Sequence, residues 1–163
     1  MRLLFVFVFF LGLSSCGVNK KNLAKQPNCK DIEGINDCDA HQHKEKFKNY
    51  SGLIKCCKNG KVEMILTIKD GKLDGLKRTW YENGQLGSER NYKDGKPNDL
   101  IRIWYENGQL EAESNYKDSK EDGLTRYWHE NGQLIYEGNY KNGVLISEKC
   151  FNEDGNEIEC IPL

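Results

Sequence analysis

One phrase occurs three times in this chain at a constant spacing. Trp80-Tyr81-Glu82-Asn83-Gly84-Gln85-Leu86 returns as Trp104-Tyr105-Glu106-Asn107-Gly108-Gln109-Leu110 and again as Trp128-His129-Glu130-Asn131-Gly132-Gln133-Leu134, each time after 24 residues. A second phrase keeps step with it: Glu89-Arg90-Asn91-Tyr92-Lys93-Asp94-Gly95, Glu113-Ser114-Asn115-Tyr116-Lys117-Asp118-Ser119 and Glu137-Gly138-Asn139-Tyr140-Lys141-Asn142-Gly143. A fixed period in this range means a repeat architecture, in which each unit buries its apolar surface against the next.

The content of one unit selects strands. Asn-Gly between alternating residues is a strong short-range hairpin signal, because a type I′ turn needs positive φ at both central positions. No window has helical spacing. The expected fold is therefore all-β: an elongated single-layer antiparallel meander of tandem hairpins, two strands per unit, about ten in all. Gly52 to Gly60 and Phe151 to Gly155 read as degenerate units that cap the array, and the repeat domain spans residues 50–161.

Reading the pairing outward from a four-residue Asn-Gly loop sets a register. Tyr105 faces Leu110, Ile103 faces Ala112 and Ile101 faces Ser114 on one side. On the other, Trp104 faces Glu111, Arg102 faces Glu113 and Leu100 faces Asn115. The same arithmetic pairs Arg78 with Glu89 and Arg126 with Glu137. Val62, Met64, Leu66 and Ile68 alternate in step with Leu86 and Tyr92, so they extend the apolar face. That face is expected to be the better buried. The other carries Arg78, Trp80, Glu89, Arg102, Trp104, Glu113, Arg126, Trp128 and Glu137. Trp and Arg are frequent interface anchors, which makes it the candidate binding surface. Its structural alternative is that each Trp packs on its neighbour and each Arg–Glu pair only holds a hairpin.

The segment before the repeats reads differently. Arg2 and the apolar run Leu3 to Leu13 form a processing segment over residues 1–15, too short to span a bilayer. It ends in Leu13-Ser14-Ser15-Cys16, which resembles the lipobox of bacterial lipoproteins. The resemblance implies cleavage before Cys16, lipidation of that cysteine and a membrane-anchored protein of the cell envelope. With Gly17 rather than an aspartate next, it implies the outer membrane in a diderm. The alternative is an ordinary secretory signal with a chance cysteine. Residues 16–49 are polar and lysine-rich, and read as a tether.

Six cysteines remain beyond Cys16, an even number. In an exported chain they are expected in disulfides. Cys150 and Cys160 flank Asp154-Gly155 and are expected to bridge. Cys56 and Cys57 are adjacent and point to opposite faces of a strand, so at least one is expected to tie the tether to the first hairpin. Cys29 and Cys38 with His41 and His43 could instead hold zinc. No metal or other cofactor is expected.

The repeat phrases also carry a family likeness over about Gly52 to Glu159. They resemble the MORN-repeat variant found in toxin–antitoxin system antitoxins of the YwqK type. The resemblance implies a rod-like β-hairpin array used for binding, with membrane association or protein scaffolding as its usual employment. The antitoxin label implies neutralising a toxin by direct contact. With a lipobox, that toxin would be met in the envelope.

Enzymatic chemistry is not expected. Catalysis calls for a singular constellation, whereas the polar residues here come in threes, and Glu82, Glu106 and Glu130 flank solvated turns. His129 stands where the other units have Tyr81 and Tyr105. The 24 basic and 25 acidic side chains give a formal net charge of −1, with no electrostatic footprint for nucleic acid. The expectation is a lipid-anchored, non-enzymatic module whose partner is another protein. The alternatives are an antitoxin or immunity protein, and a structural envelope protein that binds lipid or peptidoglycan.

Overall fold

The computed structural model describes residues 26–31, 35–36, 38 and 47–160. The lipobox with Cys16, and His41 and His43, lie outside them. The described chain forms one eleven-stranded sheet in which each strand pairs with its neighbours in sequence. The strands are β1 (Ile35–Asn36), β2 (Gly52–Lys58), β3 (Lys61–Lys69), β4 (Lys72–Trp80), β5 (Leu86–Lys93), β6 (Lys96–Trp104), β7 (Leu110–Lys117), β8 (Lys120–Trp128), β9 (Leu134–Lys141), β10 (Val144–Phe151) and β11 (Glu157–Ile158). All neighbouring strands are antiparallel except β1, which adds to β2 in parallel. The open meander of hairpins that the period predicts is the observed fold.

Two turn classes alternate along it, and they are not distributed as the sequence suggests. The type I′ turns are at the second phrase. Asp94 and Gly95 both have positive φ (51° and 83°), as do Asp70 with Gly71 and Asn142 with Gly143. Each such turn is a two-residue loop, with Lys93 paired to Lys96 and Lys117 to Lys120. Asn59-Gly60 in the N-terminal cap belongs to this class too.

At the first phrase only the glycine is left-handed, at 92° in Gly84, 85° in Gly108 and 86° in Gly132. The Gly84 N–H donates to the Tyr81 carbonyl, and the Tyr81 N–H donates to the Gln85 carbonyl. This is a three-residue loop of Glu, Asn and Gly, the form in which a type I turn is followed by a left-handed residue. The asparagine is there for its side chain. Asn83 Oδ1 accepts from the Gln85 N–H at 2.9 Å, and its Nδ2 donates to the Glu106 carbonyl of the next unit at 2.8 Å.

A three-residue loop shifts the register by one, which would send every side chain beyond it to the wrong face. A bulge restores it. Trp104 pairs with Leu110, then the register slips, and Ile103 pairs with Ala112, Arg102 with Glu113 and Leu100 with Asn115. The body of the hairpin therefore has the expected partners. The expected contacts of Tyr105 with Leu110 and Trp104 with Glu111 are replaced, and Leu110 joins the tryptophan face. The same slip occurs at Trp80 with Leu86 and at Trp128 with Leu134. A further bulge between Cys56 and Cys57 turns Val62 to the tryptophan face as well, while Met64, Leu66 and Ile68 stay opposite.

Burial is graded along the array rather than divided between the faces. At the N-terminal end, one core of Phe47, Ile54, Leu66 and Ile68 lies on the apolar face. A second, of Val62, Ile65 and Trp80, lies on the tryptophan face. Both are closed by the stretch read as a tether. Cys29 bonds to Cys57 on the tryptophan face, and Cys38 bonds to Cys56 on the other. The Cys29 N–H donates to the Gly60 carbonyl, and the Val62 N–H donates to the Pro27 carbonyl. Phe47, 3% exposed, then seals the opposite core. The polar composition concealed this docking because the two disulfides, not a run of apolar residues, hold the straps down. At the far end Cys150 bonds to Cys160 as expected, although Ile158 is the residue paired with Cys150.

One turn departs from its type. Ser119 occupies the glycine position of a I′ turn at φ 69°, a conformation that costs an L-residue roughly 1 kcal/mol. Ser119→Gly is expected to stabilise the chain by about 0.5–1 kcal/mol, read as a higher urea midpoint with an unchanged slope. The bond from its N–H to the Pro97 carbonyl is a backbone bond that the substitution keeps.

Candidate functional site

The nine candidate residues of the tryptophan face share that face, and the Arg–Glu pairs that close the hairpins also stand in register with one another. Arg78 is paired with Glu89 within one hairpin, and Glu89 is the Cα register partner of Arg102 in the next. Arg102 then meets Glu113, Glu113 meets Arg126, and Arg126 meets Glu137. Six charges of alternating sign thus form a single row across six adjacent strands. Each arginine uses its Nε: Arg78 to Glu89 at 2.7 Å, Arg102 to Glu113 at 2.7 Å and Arg126 to Glu137 at 2.6 Å. The sequence showed the three local pairs. The links between units need the register of the I′ turns, which only the fold supplies.

The tryptophans flank this row. Trp80 is buried with Val62 and Ile65, and Cys29, Leu53, Cys57 and Leu86 pack against that group. Trp104 and Trp128 are half-buried. The turns are stitched in the same direction. The Tyr81 hydroxyl donates to the Trp104 carbonyl at 2.7 Å, and that of Tyr105 to the Trp128 carbonyl at 2.8 Å. His129 lacks that hydroxyl, and among the described residues no side-chain bond runs from it or from Asn131 to the following turn. The stack is complete where the third unit ends.

The opposite face has another character. Reading the three units in register, its central positions are Lys77, Ile101 and Thr125; Thr79, Ile103 and Tyr127; Ser88, Ala112 and Tyr136; Arg90, Ser114 and Gly138. Each position holds three different residues. On the tryptophan face the matching positions are Leu, Arg, Trp, Leu, Glu and Asn in every unit. Towards the C-terminal end the variable face gathers tyrosines. The rings of Tyr127 and Tyr136 lie 5.6 Å apart, and the Tyr136 and Tyr140 hydroxyls are 2.9 Å apart. Burial, then the bond to Tyr140, pushes the Tyr136 phenol well above its ordinary range. Tyr127 remains 42% exposed.

The sulfurs of Cys29 and Cys38 are spent in disulfides, so the zinc alternative has lost two of its four ligands. Among the described residues no group of three or more His, Cys, Asp or Glu side chains is placed to hold a metal.

The family described as MORN repeat variant matches this chain over residues 73–94, 100–118 and 121–142. These stretches run from β4 to the turn after β9 and contain the whole charged row. No curated protein matches the sequence.

Proposed function

We propose that this array of MORN repeat variants is a lipid-anchored, non-enzymatic module of the cell envelope that binds another protein through its variable face. The observation that carries this reading is the contrast between the faces. What is identical in every unit serves what every unit shares, which is stacking on the next. The arginines and glutamates of the invariant row are engaged with one another, and Trp80 is buried. What differs in every unit is free to be specific. The variable face supplies Arg and exposed Tyr, which are enriched in protein interfaces. The lipobox-like Leu13-Ser14-Ser15-Cys16 supports the anchor.

Two neighbours on β8 allow a matched test. Tyr127 on the variable face and Leu124 on the tryptophan face are similarly exposed, at 42% and 37%. A photo-crosslinking residue at 127 in the intact lipoprotein is expected to give a discrete protein adduct in envelope fractions, and one at 124 is not. Adducts from 124 alone would return the binding role to the tryptophan face. The identity of the adduct refines the reading: a toxin would make the chain an immunity protein. Attachment to peptidoglycan or lipid, with no protein adduct, would make it a structural component.

A further inference from the structure

On the variable face two cations stand directly opposite each other. Lys77 on β4 is the register partner of Arg90 on β5. Like charges so placed repel. Neither has an acceptor among the described residues, and Arg90 Nε is buried without a partner. Burial, and then the Arg90 charge, holds the Lys77 ammonium below its ordinary range. Arg90 is the exception among the four described arginines, since the other three deliver Nε to a glutamate. Their row continues with Leu66 on one side and Ile101 on the other, so neither cation directly faces a carboxylate. One step along the strands, the Thr79 and Ser88 hydroxyls lie 2.8 Å apart. An unmatched cation pair on a partly buried face is a cost to folding, offset when something else brings the anion.

Resting on the protein-binding reading above, we propose that Lys77 and Arg90 receive a single carboxylate, the Asp or Glu side chain of an extended partner segment lying across the variable face. A guanidinium fork matches a carboxylate, and this molecule already sets arginine against glutamate three times. The surrounding charge favours one localised anion over an anionic surface. Farther along the same face stand Glu121, bonded to Thr125, and Glu148, paired with Gly138. These would repel a membrane of acidic lipids or a polyphosphate, while a peptide carrying one acid avoids them.

The test uses the intact chain and a labelled peptide, acetyl-Ser-Tyr-Ser-Glu-Ser-Tyr-Ser-amide. Its Gln twin, its phosphoserine twin and vesicles of phosphatidylcholine with phosphatidylserine serve as the other arms. The Glu peptide is expected to bind about tenfold more tightly than the Gln twin, as a charged hydrogen-bonded contact does. Arg90→Met and Lys77→Met should each erase that difference and raise the melting temperature, because each removes half of an unfavourable pair. Equal binding of the twins, no binding of the Glu peptide, or preference for the phosphoserine twin or the vesicles would overturn the proposal. So would a lowered melting temperature in both variants, which would make the cations structural. If the adduct at position 127 persists in Arg90→Met while the discrimination was never present, the carboxylate site falls and the wider protein-binding reading stands.

Discussion

Removing the Cys29–Cys57 bridge by the double substitution Cys29→Ala with Cys57→Ala is expected to cost the folded chain about 3.5 kcal/mol, from the loop-closure entropy of a 28-residue separation. The site of attachment makes that loss global. Cys29 and Cys57 both pack against the buried group of Val62, Ile65 and Trp80. The strap that carries Cys29 also supplies the carbonyl for the Val62 N–H. Releasing it opens the one place where the tryptophan face has a closed core. The matching removal of Cys150–Cys160 is expected to change the global midpoint by less than about 1 kcal/mol, although its 10-residue loop is entropically comparable. It closes only β11, two exposed residues at the end of the array, which can fray without exposing a core. Chemical denaturation of the two alanine pairs against the parent measures both. Similar losses from the two bridges would show that the array unfolds as one unit and that its end cap is as coupled as its start.

That asymmetry marks where sequence reasoning works in this chain and where it stops. The period makes the number of hairpins and the pairing of Arg102 with Glu113 legible, because each unit repeats the same experiment. Turn class is not legible in the same way. Asn-Gly is compatible with a I′ turn, and only the hydrogen bonds of Asn83 to Gln85 and Glu106 reveal that the asparagine works through its side chain. The bulge that repairs the register falls at Gly87, Glu111 and Ile135 in the three units, residues with nothing chemical in common. Backbone geometry dictates it, so no residue type announces it. The candidate surface shows a related limit. Trp and Arg suggest an interface when read singly. In the fold, each arginine of that row already delivers its Nε to the glutamate of its own hairpin. The variation at Lys77, Ile101 and Thr125 was visible in the sequence, and became meaningful once those positions were seen to share one face.

The charged row itself is expected to be worth very different amounts along its length, and substituting its arginines in turn would show it. Arg78 is 10% exposed and its partner Glu89 23%, so Arg78→Ala strands a half-hidden carboxylate and also removes a buried aliphatic stem. Breaking a buried pair in this way costs about 3 kcal/mol. The low end of that range applies because Glu89 still has Arg102 as its register partner on the other side. Arg126 and Glu137 are 34% and 31% exposed. Water screens that pair, and Arg126→Ala is expected to cost only roughly 0.5–1 kcal/mol. Salt separates the two mechanisms. Raising ionic strength from ~0.05 to ~0.5 M shortens the screening length from roughly 14 to 4 Å, which should shrink the Arg126 penalty and leave most of the Arg78 penalty in place. Urea midpoints of both variants at the two salt concentrations decide the matter. Equal costs, equally salt-sensitive, would mean that the row acts as one solvated ladder. A steep difference would mean that it is anchored at the capped end and spread outward from there, the charged counterpart of a core that is closed on both faces only at its N-terminal end.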